Sequence, residues 1–359
     1  MVADMDVRDF DFHLPPDLIA QEPLAERDSA RLLRLGRVDG TVAHATIRDL
    51  PGFLQPGDLI VINNTRVFPA RLLGHRLPSG GAVECLLIAP VADGTWEALV
   101  HPGQKLKPGA QFAFDGPGAL RGEILERGVY GRRVVRLWSE EGRPIDEVVD
   151  AIGHMPLPPY IKRPDRDADR ERYQTVFARA RGSIAAPTAG LHFSPALLAS
   201  AVARGVEIAE ITLHVGYGTF KPVRVERVED HRLEPEHYEI SAAAANAITS
   251  ALHDHRRVIA VGTTTTRTLE AVALANDGRI VPGAGQADLF IYPGFRFRVV
   301  SGLLTNFHVP QSSLLMLVAA FAGRDHVLAA YRAAIAEHYR FYSYGDATLL
   351  HRADVRVGC

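Results

Sequence analysis

The sequence is poor in cysteine: Cys85 and Cys359 are the only two in 359 residues. A pair so sparse excludes a disulfide framework and offers no metal-ligand spacing, so no metal is expected. Long apolar runs are missing as well. The longest, Leu314–Ala322, falls far short of the ~20 residues a bilayer span requires, so no membrane association is expected. The N-terminus carries Asp4, Asp6, Asp9 and Asp11, the wrong charge for a secretory signal, which makes a cytoplasmic protein the expectation. An excess of one charge sign is also absent: 40 Lys+Arg against 42 Asp+Glu leave a formal net charge of −2. The field of the whole molecule will not draw in a polyanion, and any nucleic-acid contact must rest on a local patch. A hydrophobic share of 47% with 23% charged residues excludes a disordered chain.

What is present falls into two textures. The length exceeds one ordinary core and suits two domains. Asp58–Asn63 is a short β-branched run suited to a buried strand. From Ala70 to about Ser139, short apolar runs such as Ala82–Ile88, Trp96–Val100, Gln111–Phe114 and Arg132–Trp138 alternate with proline and glycine. That rhythm predicts a small all-β barrel or sandwich. After Ile145 helices return. Ser194-Pro195 opens a helix that Gly205 closes, Ser241 caps another running to about His253, and Thr266–Ala275, Ser312–Phe321 and Asp325–Arg340 read as three more. Val206–Val215 and Arg257–Val261 read as strands between them. The expected architecture is an α/β domain of largely parallel strands, residues 1–69 plus 145–359, interrupted by an inserted all-β, barrel-like domain at 70–144.

Five clusters could carry chemistry. Gly182–Ser194 is small, polar and set before a helix N-terminus, where amide groups point outward. It contains Thr188, Gly190 (room for close backbone approach) and His192, a group that titrates near neutral pH. A tight turn with a structural histidine would also explain it. The second, Leu213–Pro222, follows a predicted strand and places His214, Gly216, Gly218 and Thr219 beyond its carboxyl end. Its lone Gly-x-Gly is no dinucleotide fingerprint. The third, Val261–Arg267, puts Thr263, Thr264 and Arg267 at a strand-to-helix junction, suited to a carboxylate, phosphate or ribose, although helix capping alone accounts for part of it. The fourth holds Asn306 and His308 before an apolar helix, and the fifth, Phe341–Asp346, adds Tyr344 and Asp346. For nucleic acid, Lys162–Arg181 has seven Lys/Arg, Lys162 and Arg163 among them, against four Asp/Glu. Arg296 and Arg298 alternate with Phe295 and Phe297, which suits a single-stranded loop or a solvated surface.

Together the clusters resemble one family. Ala185-Ala-Pro-Thr-Ala-Gly-Leu-His-Phe193, Val61-Ile-Asn-Asn-Thr-Arg-Val-Phe-Pro-Ala-Arg71, Leu157-Pro-Pro-Tyr-Ile161, Arg172-Tyr-Gln-Thr-Val-Phe177, His214–Phe220, Gly262–Glu270, Thr305-Asn-Phe-His308 and Tyr342-Ser-Tyr-Gly-Asp346 resemble the S-adenosylmethionine:tRNA ribosyltransferase-isomerase family, in its order, as do two segments near the N-terminus. One stretch departs: where Met-His-x-Glu is usual, this chain reads Leu233-Glu-Pro-Glu236, with Glu234 at the histidine.

The resemblance implies the same split α/β fold and a reaction. The ribosyl group of S-adenosylmethionine would pass, with isomerisation, to 7-aminomethyl-7-deazaguanine at the tRNA wobble position, giving epoxyqueuosine-tRNA and releasing adenine and methionine. S-adenosylmethionine is then a consumed cosubstrate, with no true cofactor and a monomer expected. One of His192, His214 or His308 would remove a ribose proton and Asp346 would assist the amine; the sequence does not choose among the histidines. Thr188, Gly190, Gly216, Gly218, Thr219, Thr263, Thr264, Arg267, Asn306 and Tyr344 are candidates to bind the substrate, and Lys162, Arg163, Arg296 and Arg298 to bind tRNA. The rivals are a non-catalytic RNA binder and an enzyme of this fold with another nucleoside acceptor.

Overall fold

The computed structural model describes residues 5–129, 131–220 and 222–351. Four strands come first: β1 (Arg31–Gly36), β2 (Val42–Thr46), β3 (Leu59–Asn63) and β4 (Thr65–Val67). Six follow in close succession: β5 (Arg71–Arg76), β6 (Ala82–Ala92), β7 (Thr95–His101), β8 (Gln111–Phe114), β9 (Leu120–Arg127) and β10 (Arg132–Ser139). The rest are spaced among helices: β11 (Ala180–Ser183), β12 (Glu207–Leu213), β13 (Glu236–Ile240), β14 (Val258–Val261), β15 (Gly283–Ala287), β16 (Gly302–Asn306) and β17 (Ala347–His351).

Strands β5 to β10 close into an antiparallel barrel in the order β10-β7-β6-β5-β8-β9. Its interior follows from the period of two. On β6 the buried side chains are Val83, Cys85 and Leu87, and on β7 they are Trp96, Ala98 and Val100. These pack with Phe112, Ile124 and Val135 into a core of their own. Cys85 is fully enclosed there, and burial pushes its thiol up to about 12, so it is an inert core residue.

Among the described residues a second sheet has nine strands, ordered β15-β13-β12-β3-β14-β16-β17-β1-β2. Only its centre, β12-β3-β14-β16, is uniformly parallel. β17 runs antiparallel to β16, β2 antiparallel to β1, and β13 and β15 antiparallel on the other flank. The sheet is therefore mixed, not largely parallel as the strand–helix alternation suggested. Connections other than single right-handed crossovers set the flanks: β1 and β2 form a hairpin turning through Arg37–Gly40, and β17 returns antiparallel to β16 after two helices, Ser313–Ala322 and Arg324–Ala336. All five residues of β3 are buried because both faces are covered. Leu59 and Val61 meet Ile248 and Leu269 from the helices Ala242–His253 and Thr263–Ala275. Ile60 and Ile62 meet Leu197 and Ala201 from the helix Pro195–Ala203. The predicted caps Ser194 and Ser241 are present, and Ser312, expected as the first residue of its helix, is its cap: each accepts from the backbone N–H three residues on. No single helix among the described residues is long and apolar enough to cross a membrane.

Candidate active site

Parallel strands deliver their carboxyl ends to one edge, and ligands of open α/β sheets bind there. In this protein the ends of β14 and β16 open into a cavity of about 390 Å³. Its walls are the loop 185–189, Gly262–Thr264, Thr305–Leu314, Val215, Tyr160 and Tyr342. Among the described lining residues none carries a formal charge apart from what His308 could acquire.

The junction after β14 departs from the sequence expectation in an informative way. The helix begins at Thr263, not Thr266. Thr265, Thr266 and Thr268 turn their hydroxyls back onto the carbonyls of Val261, Gly262 and Thr264, at 2.8, 3.0 and 3.0 Å. Those three hydroxyls are spent within the helix. Thr263 and Thr264 instead line the cavity. Gly262, with φ +91°, is the cap residue and supplies no side-chain acceptor, so the first-turn amides open toward the cavity with the positive end of the helix dipole. A second helix, Ser313–Ala322, also starts at the cavity, capped by Ser312.

His308 is the imidazole that lines this space. Its Nε2 lies 2.9 Å from Thr305 Oγ1, its backbone N–H donates to Tyr331 Oη at 3.0 Å, and Nδ1 has no partner among the described residues. Burial pushes its pKa down to about 3, so the ring is neutral at physiological pH. Asn306, two residues earlier, donates from Nδ2 to the Tyr342 carbonyl at 3.1 Å and lies 3.2 Å from His192 Nε2. Tyr342 adopts a left-handed φ of +72°, unusual for a tyrosine, and this turns its carbonyl to Asn306. Its ring meets that of Tyr160 with centroids 4.7 Å apart, and Tyr160 is hydrogen-bonded to Ser343.

The other sequence candidates divide around this cavity. Thr188 lines it; Gly190 does not, because a Cβ there would press on Thr175 and Phe177, so its smallness serves packing. His192 is buried one layer behind Asn306, and burial, then the charges of Arg340 and Arg27, push it down to about 4. His214 packs over Gly182 with Nδ1 2.8 Å from Thr65 Oγ1, away from the cavity lining. Gly216 donates its N–H to Glu236, which also holds the buried Arg267 in an ion pair. Arg267 thus ties the helix to β13 and is not on the cavity wall. Gly218 abuts Glu234, and the side chain of Thr219 lies outside the described residues.

Asp346, expected to help the amine, is committed to scaffold. Its two carboxylate oxygens accept from the backbone N–H groups of Arg31 and Arg340 at 2.9 and 2.8 Å. Tyr344 donates to Asp169 at 3.0 Å, and the same carboxylate takes two bonds from Arg163 at 2.7 and 2.9 Å. Arg163 is therefore occupied and largely enclosed, while Lys162, Arg296 and Arg298 are exposed. Phe295 and Phe297 point inward and pack edge-on, the latter against Phe321, so the interleaved aromatics are core and only the arginines face solvent. Glu234, the departure from the family pattern, pairs with Arg132 of the barrel at 2.6 Å, and Arg132 also meets Glu97 at 2.7 Å. Sequence reasoning missed Tyr160 and noted Tyr342 only as one of two phenols in the fifth cluster, able to stack or simply pack. Their only signal was membership in recurrent segments, since neither has a titration or spacing cue.

Known proteins of the same build supply the family. The family described as queuosine biosynthesis protein matches residues 7–350. The S-adenosylmethionine:tRNA ribosyltransferase-isomerase of Heliobacterium modesticaldum is 51% identical over 346 residues, 96% of this chain and 100% of its own. That of Desulfitobacterium hafniense is 52% identical with the same coverage. The crystal structure of the S-adenosylmethionine tRNA ribosyltransferase from Thermotoga maritima is similar at 36% identity and a TM-score of 0.54, covering 95% of this chain and 99% of that one. With the match spanning almost every described residue, this chain belongs to the queuosine biosynthesis protein family.

Proposed function

We propose that the cavity at the ends of β14 and β16 binds S-adenosylmethionine for a ribosyl transfer that His308 assists as base. The chain is a ribosyltransferase-isomerase: it moves the ribosyl group of S-adenosylmethionine to 7-aminomethyl-7-deazaguanine at the tRNA wobble position, with isomerisation to epoxyqueuosine and release of adenine and methionine. One observation carries the site assignment. A charge-free cavity joins an uncapped helix N-terminus, two tyrosine rings and an imidazole with one open nitrogen.

Each part suits a part of the substrate. The first-turn amides of Thr263 and Thr264 suit the methionine carboxylate. The faces of Tyr160 and Tyr342 suit the sulfonium, which needs no counter-charge beside a ring quadrupole. Proton removal from the ribose carbon next to sulfur leaves a carbanion that the adjacent positive sulfur stabilises. Neutral His308 presents its open Nδ1 to take that proton. Electron flow into the sugar then expels adenine, and the tRNA amine attacks the sugar as methionine leaves. Asp346 is buried off the cavity wall with each oxygen on a backbone amide, so deprotonation of that amine falls to another acceptor.

Lys162, Arg296 and Arg298 remain the candidates for phosphate contact, and Arg163 drops from that group. The separate cores support a discontinuous domain at 1–69 plus 145–359 with a barrel insert at 70–144. A monomer acting in the cytoplasm on free S-adenosylmethionine and tRNA, without metal or other cofactor, completes the reading.

The test is adenine release from S-adenosylmethionine with tRNA that carries the aminomethyl base, against tRNA that lacks it. Release with the first alone supports the reading; binding without release would make the chain a non-catalytic RNA binder. For the base, hydrogen–deuterium exchange at the ribose carbon should vanish in His308→Ala and persist in His214→Ala. Persistence in His308→Ala would remove the assignment.

A further inference from the structure

The most distinctive polar group in the cavity wall is one the mechanism above does not use. Asn306 is only 2% exposed, and its Oδ1 has no hydrogen-bond partner among the described residues. A buried carbonyl oxygen left unpaired is costly until a donor meets it. Its orientation is not arbitrary. The Tyr342 carbonyl can only accept, so the Asn306 atom facing it must be the NH2 group. His192 Nε2 lies 3.2 Å from the same NH2, which can only donate, so the neutral ring accepts there in the tautomer that carries its proton on Nδ1. With both hydrogens of the amide directed at these acceptors, the carbonyl oxygen is the free end.

We infer that Asn306 Oδ1 accepts a hydrogen bond from a ribose hydroxyl of S-adenosylmethionine, and that His192 is the positioning residue that keeps it turned to do so. This rests on the functional reading above. A ribose hydroxyl fits better than an ammonium group, because no carboxylate lines the described cavity to share a positive charge. It also fits the location. Asn306 and His308 stand two apart at the end of β16, so an acceptor for a ribose hydroxyl lies beside the base that works on the adjoining ribose carbon.

The experiment measures kcat/KM for adenine release, with tRNA saturating, for S-adenosylmethionine and its 2′-deoxy and 3′-deoxy ribose analogues. The unsubstituted protein should disfavour one analogue by about tenfold to a hundredfold, the scale of one lost buried hydrogen bond. This arm requires no variant to fold. Asn306→Leu should lose about as much with the normal substrate and should barely distinguish that analogue from it. His192→Leu should behave like Asn306→Leu, and His192→Gln, whose amide oxygen can accept, should restore the discrimination. Equal use of all three substrates by the unsubstituted protein overturns the proposal, as does full discrimination in Asn306→Leu. Full discrimination in His192→Leu overturns the positioning role alone. Absence of adenine release with the normal substrate fails the functional reading, and the two failures are thereby distinguished.

Discussion

Asn306 and Asp169 are buried to nearly the same depth, yet their surroundings treat them in opposite ways. Asp169 is saturated: Arg163 meets both its oxygens, Arg166 gives a backbone N–H at 2.8 Å, and Tyr344 gives a hydroxyl. Asn306 and His308 each keep one atom unspent. A scaffold uses up its hydrogen-bonding capacity because any remainder is lost stability. A ligand site keeps a remainder for the ligand. By that contrast Asp346, Tyr344 and Arg163 belong with Asp169, although the sequence offered them as site residues, whereas Arg267 is held by Glu236 but leaves its buried Nε unpaired.

The comparison can be broken first at His308. His308→Ala should lower kcat by ~10²–10⁴-fold while leaving the thermal midpoint nearly unchanged. A large drop in the midpoint would move His308 to the scaffold side. Asp169→Ala should do the reverse, removing about 3–5 kcal/mol of stability in denaturant unfolding because the enclosed Arg163 is deprived of its main partner. Any loss of activity should then track the loss of fold.

Protonation provides a third handle. Burial holds His192 and His308 below the ordinary 6.5, at about 4 and about 3. The unfolded chain therefore binds protons that the folded one refuses. The stability tied to each ring is complete above pH 6.5 and is lost as pH falls toward its folded value. For His192 the loss between pH 6.5 and 4 amounts to roughly 3 kcal/mol. Unfolding of His192→Gln as a function of pH should show an acid limb flatter by that amount.

Smaller effects test the periphery. Arg296→Ala and Arg298→Ala should each weaken tRNA binding, and each should make the slope of log affinity against log salt shallower by about 1 for every phosphate the arginine had neutralised. A slope equal to that of the unsubstituted protein would leave these arginines as solvated surface. Glu234→Ala should cost the least, about 0.2–1 kcal/mol, since the pair with Arg132 is partly exposed. A larger loss of stability would mean that this link fixes the barrel on the sheet.

Local signals were legible where a few neighbouring residues decide the outcome. Ser194 and Ser241 cap the helices that their positions predicted, and the proline and glycine rhythm from Ala70 to Ser139 became a closed barrel. The parallel centre of the sheet was foreseen but its antiparallel flanks were not, because strand direction depends on how the chain returns. The start of the helix at Thr263 was missed because three threonines satisfy backbone carbonyls one turn back, which makes a polar run helical. The conspicuous arginine and aspartate of the site motifs drew functional readings, whereas Asn306 and Tyr342 carried little signal of their own.

The sequence by itself determined the two textures, the helix starts and the recurrent segments that identify the family, since each is written in short-range pattern or in residue order. Only the tertiary structure decided which members of those segments face the ligand. Whether a carboxylate is spent on two amides, as in Asp346, or an amide oxygen is left open, as in Asn306, depends on partners such as Arg31, His192 and Tyr342 that lie tens to hundreds of residues away and meet only in the folded chain.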